Sequence, residues 1–113
     1  RLPKRVPQNI AMEMALTGDT ITAERAHQHG LVNILCESGE AISKAMDLAE
    51  RINANAPLAV RATRQAVSQG AMVSDDEGIR IAVELFKPVA SSEDAKEGPL
   101  AFVEKRLPEW KAR

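Results

Sequence analysis

The chain has 113 residues, acids and bases in near balance at a formal net charge of -1, a single cysteine and no tyrosine. That length allows one domain or part of one, the balanced charge offers no field to hold a polyanion, and one cysteine closes no internal disulfide. No leader pattern and no run of about 18 apolar residues is present, so the composition reads as a soluble cytoplasmic chain with neither nucleic acid nor membrane as partner.

The opening, RLPKRVPQ, begins without methionine and carries Pro3 and Pro7 within a run of positive charge. It reads as a connection between elements, and an upstream portion is expected. Pro7 suits a first helical turn, Ile10, Ala11, Met14 and Ala15 follow at helical spacing, and Gly18 is placed for a left-handed cap. Thr22 caps a second helix over AERAHQH, with Glu24 near its positive end and Gly30 just past its last turn. LVNILCE is apolar, branched and short, which reads as a brief strand or extended link, the one β-like segment.

From Ser38 the period returns to about 3.6, with Ile42, Ala45, Met46, Ala49 and Ile52 predicted as a buried stripe. Ala56 precedes Pro57, which restarts the chain as a helix carrying Leu58, Ala62, Ala66 and Val67 up to Gly70. SDDE, Ser74 to Glu77, is a capping box, and Ile79, Ala82, Val83, Phe86 and Val89 form the stripe behind it. Pro88 is expected to kink or end that helix. SSEDAKEG then starts a last helix with an acidic first turn. The expected fold is mainly α: about six helices with one short extended segment, a single helical region over residues 1–113. With aromatics so scarce, its core rests on Ala, Ile, Leu, Val and Met.

Few residues carry chemistry. His27 and His29 stand two apart on a helix and so face different ways, with no ligand-spaced partner, and no metal is expected. Cys36 lies in an apolar segment without a nucleophile motif and reads as a buried structural thiol. There is no phosphate-cradling glycine loop and no nucleophile elbow. The carboxylates sit at helix starts or on solvated faces. A helix-turn-helix reader using Arg61 and Arg64 is opposed by the DDE and SED clusters.

The order of the pieces is more specific than any one of them. RLPKRV, then AMEMALTGDTITAERAHQHGLVN, then AERINANAPLAVRATRQAV, then SSEDAKEGPLAFVEKR together resemble the carboxyl-terminal portion of the crotonase superfamily, the enoyl-CoA hydratase/isomerase family. The resemblance runs from Arg1 to about Arg106 and departs from the family's uninterrupted helices at Pro88 and Pro99.

It implies a parent enzyme acting on acyl-CoA thioesters, coenzyme A being part of the substrate and no further cofactor being needed. In such enzymes backbone N–H groups stabilise an enolate-like oxygen and glutamates move protons. Those groups belong to an amino-terminal spiral of ββα units that precedes RLP, so the resemblance assigns no catalytic residue to this chain. It assigns subunit assembly, as trimers or hexamers in the parent; for this chain alone dimers or trimers are expected, because apolar helix faces without the spiral they would cover are most easily buried against another copy. It also places Phe102 and Lys105 at the adenine and 3′-phosphate of CoA bound to a neighbouring subunit. Their i, i+3 spacing would set them on one helical face; otherwise Phe102 is core and Lys105 solvated. Lys96, Arg106 and Trp110 are weaker additions, Trp110 being most simply an anchor for the tail. The alternative is a non-enzymatic helical module whose role is assembly.

Overall fold

A computed structural model describes residues 1–113 and contains helices and turns but no strand. A 3-10 turn over Leu2–Lys4 is followed by α1 (Gln8–Thr17), α2 (Ala23–Gln28), α3 (Ala41–Asn53), α4 (Pro57–Gly70), α5 (Asp75–Ala90) and α6 (Asp94–Glu104). The chain forms two compact units, Arg1–Met46 and Asp47–Arg113. Their boundary falls inside α3 rather than in a linker, which is why no composition shift marks it.

The first unit is organised by its punctuation. The Pro7 carbonyl accepts from the amides of Ile10 and Ala11, starting α1, and Gly18, at φ 73°, ends it with its N–H on Met14 O at 3.1 Å. A left-handed backbone there favours glycine. Val6, Ile10 and Ala11 are buried, with Leu2, Met14, Ile21 and Leu31 packed around them. Ala15 is exposed, so the predicted α1 stripe is narrower than its spacing suggested. Thr22 Oγ1 accepts from Arg25 N at 3.2 Å, as a cap should. The Arg25 guanidinium then forms a two-pronged pair with the Glu13 carboxylate, at 3.1 and 2.9 Å, which ties α2 to α1.

The LVNILCE segment is irregular, not a strand. No strand forms in these 113 residues to pair with it, and branched side chains alone do not make a ladder. Cys36 is exposed, contrary to the buried thiol expected from its apolar neighbours.

In the second unit α4 packs on α5 where glycine meets glycine. A Cβ built on Gly78 would lie 3.5 Å from the Gly70 Cα, so the two backbones approach closely at this crossing. Ala62 is the buried residue of α4. Ser74 Oγ accepts from Glu77 N at 3.4 Å, one half of the predicted capping box. The Glu77 carboxylate does not complete the box; it pairs with Arg80 one turn further on. α5 continues through Pro88 and ends two residues later, at Ala90, because a missing N–H in the last turn costs only one bond. α6 likewise runs through Pro99.

The predicted buried stripes of α3 and α5 are largely uncovered. Ile42 is 79%, Met46 56%, Ile79 63% and Val83 53% exposed, as is Val67 of α4 at 69%. Helical periodicity records a preference for an apolar neighbour, and these 113 residues do not supply one for those faces.

Candidate functional site

The densest polar network lies on α6 and the segment after it, residues 105–113. Ser92, buried, accepts from Ala95 N at 3.2 Å and donates to Val89 O at 2.6 Å, joining the end of α5 to the start of α6. Asp94, only 4% exposed, turns both carboxylate oxygens to the tail and accepts from the amides of Lys111 at 2.7 Å and Ala112 at 3.0 Å. The Glu93 amide donates to Arg113 O at 2.7 Å, and its carboxylate pairs with Lys111 and Arg113. Residues 107–113 thus run back along α6 as a strap.

Glu97 holds the middle of that strap. Its oxygens accept from Arg106 Nη1 and Nη2 at 2.5 and 3.0 Å, and Oε1 also accepts from Glu109 N at 2.7 Å. The Arg106 hydrogen bonds, helped by the Glu109 amide, hold the Glu97 carboxyl down at about 2. Arg106 is held correspondingly above its ordinary value by Glu97 and Glu104. The Trp110 ring lies on Gly98, where a Cβ would meet Cη2 at 3.4 Å, and its Nε1 donates to Ala54 O at 2.9 Å between α3 and α4. Trp110 is therefore the anchor its position suggested.

Phe102 and Lys105 stand where the strap begins. Phe102 is 85% exposed, which removes the core reading for it in this chain. Lys105 is not on the helix face: α6 ends at Glu104, and Lys105 caps it at φ 53°, ψ 39°. The shared-face geometry inferred from the i, i+3 spacing is corrected accordingly, because the backbone reverses its twist between the two residues. Lys105 N donates to Phe102 O at 3.3 Å and Arg106 N to Ala101 O at 3.1 Å, a glycine-type helix ending made with a lysine. That conformation costs an ordinary side chain about 1–2 kcal/mol. The Lys105 side chain is exposed.

Lys96 borders a groove of about 240 Å³ lined also by Glu93, Asp94, Glu97, Glu109 and Lys111. Four carboxylates against two ammonium groups make it a poor seat for a phosphate. His27 Nδ1 lies 3.2 Å from Val32 O, a local turn contact. The roles of Asp94 and Glu97 were not visible as such: both read as dipole-complementing acids of a first turn. Their partners lie 17 and 9 residues away, at no spacing that marks a motif.

Comparison with known proteins places this helical arrangement. The profile of the enoyl-CoA hydratase/isomerase family matches residues 1–113, and the chain belongs to that family. Among curated relatives, enoyl-CoA hydratase EchA19 of Mycobacterium tuberculosis is 39% identical over the whole chain, which spans 42% of that protein. Carnitinyl-CoA dehydratase of Proteus mirabilis is 41% identical, with 45% of it spanned. A crystal structure of an enoyl-CoA hydratase from Mycobacterium tuberculosis superposes with a TM-score of 0.94 at 50% identity, over all of this chain and 45% of that one. One from Bacillus anthracis gives 0.94 at 34% identity, over 99% of this chain and 43% of that one. The fold is that of the helical carboxyl-terminal region of crotonase-superfamily enzymes, and the chain spans less than half the length of these relatives.

Proposed function

We propose that these residues form the carboxyl-terminal part of an enzyme acting on acyl-CoA thioesters, with reversible hydration of a 2-enoyl-CoA in fatty-acid metabolism as the parent reaction. The observation that carries this reading is the family match over all 113 residues, together with relatives named for hydration and dehydration of CoA thioesters. The amino-terminal spiral supplies the catalytic groups, and this chain contributes assembly surface and part of the seat for the coenzyme's 3′-phosphoadenosine. Phe102 offers an uncovered ring to the adenine, and Lys105 an ammonium to the 3′-phosphate. Coenzyme A enters as part of the substrate and no separate cofactor is invoked.

The chain alone is inactive on this reading. Turnover of short or medium enoyl-CoA by the purified 113 residues, at the rate of an ordinary hydratase, would contradict it. The positive test is a chimera in which these residues replace the matching stretch of the 50%-identical Mycobacterium tuberculosis hydratase. In it Lys105→Ala is expected to raise KM for CoA substrates several-fold with little change in kcat, and to matter much less for 3′-dephospho-CoA substrates. An equal loss on both substrates, or none, assigns Lys105 to the solvated surface.

A second reading, a non-enzymatic assembly module, draws on the uncovered stripes of α3 and α5. A chimera that assembles but stays inactive with every CoA substrate favours it.

A further inference from the structure

We infer that Glu97 and Arg106 form a positioning clamp that fixes Lys105 in its left-handed cap and so aims its ammonium at a phosphate; this rests on the coenzyme reading above. Lysine at a helix ending that favours glycine needs something to hold it there, and the residues around it do so. Arg106, the next residue, spends its guanidinium on four acceptors: both oxygens of Glu97, Glu104 Oε2 at 2.6 Å and Leu107 O at 3.1 Å. Glu97 lies two turns earlier on α6 and takes the amide of Glu109 as well. The backbone on the far side of Lys105 is therefore tied to the helix that precedes it. Four of the five guanidinium N–H groups are thus spent inside the chain, so the part we assign to Arg106 is to hold Lys105 rather than to seat the phosphate itself.

This role has an electrostatic signature. Glu97 is an anion on α6, the helix that Lys105 caps. If it acted only through its charge, Glu97→Gln would strengthen binding of a phosphate. If it positions Lys105, the same change weakens binding, because a neutral amide holds the Arg106 fork less firmly.

The test uses the isotope-labelled 113-residue chain, titrated by NMR with adenosine 3′,5′-bisphosphate and, separately, with adenosine 5′-monophosphate. The parent chain is expected to prefer the bisphosphate at least three-fold, with shifts centred on Phe102 and Lys105, and Lys105→Ala to abolish the preference. Glu97→Gln and Arg106→Lys, which keeps the charge but loses the fork, are each expected to reduce it to less than half. Continued protection of the Lys111 and Ala112 amides, held by Asp94, reports that the strap is still closed. If Glu97→Gln opens the strap, Arg106→Lys decides. Tighter or unchanged bisphosphate binding in the closed variants overturns the clamp alone. No preference in the unsubstituted 113-residue chain overturns the clamp as a device preformed in this chain, and a preference that survives Lys105→Ala overturns the coenzyme reading beneath it.

Discussion

Asp94→Ala isolates what the strap contributes to the fold. Asp94 is buried and each of its oxygens accepts one backbone N–H, from Lys111 and Ala112. Hydrogen bonds to a charged group contribute roughly 1.5–3 kcal/mol each, which sets an upper bound of about 3–6 kcal/mol for the two. The bound is not reached, because a released tail can hydrate its own amides; about 2–3 kcal/mol is expected. Asp94→Asn keeps one acceptor and loses the charge, so about half that effect follows. Ala112 adds to the argument, since it sits at φ 59° and relaxes once Asp94 lets go. The assay is amide hydrogen exchange, in which 1.4 kcal/mol corresponds to about ten-fold. Protection of Lys111 and Ala112 is expected to fall about 30-fold or more in Asp94→Ala, while the amides of α4 are spared. Unchanged protection at those two amides would show that Trp110 and the Glu97 pair hold the strap without Asp94, and would refute the reasoning.

The strap should also answer to acid. The Glu97 carboxyl is depressed to about 2 from an ordinary 4.5, so its contribution is fully present above pH 4.5 and is lost as pH falls through about 2. Protection of the Glu109 amide, taken relative to intrinsic exchange at each pH, should fall toward the acid end of that range, and a transition centred near 4.5 would contradict the pairing with Arg106. Gly78→Ala should stabilise the second unit by about 0.5–1 kcal/mol through helix propensity, since the added methyl would meet Gly70 at an ordinary 3.5 Å; a lower urea midpoint would mean that the crossing tolerates no Cβ. The uncovered faces of α3 and α5 should drive self-association into dimers or trimers, and light scattering that shows a monomer from micromolar to millimolar concentration would exclude it.

Local chemistry decided where the helices begin and end. Thr22 and Ser74 each accept the amide three residues on, Gly18 and Gly30 take the left-handed conformation their positions call for, and Pro57 opens α4. These signals work within one turn, between neighbours along the chain, and are therefore legible from residue order. The ordered set of motifs also carried the family, which the comparisons bear out. Burial was decided elsewhere. Ile42, Met46 and Ile79 have the spacing of core residues and are exposed, because periodicity orients a face without providing what covers it. Cys36 is exposed for the same reason, since an apolar neighbourhood in sequence is not one in space. The strap belongs to tertiary structure entirely. Asp94 meets Lys111 and Ala112, Glu97 meets Arg106, and Trp110 reaches Ala54, contacts that form only once α6 has ended and the chain has turned back along it at Lys105.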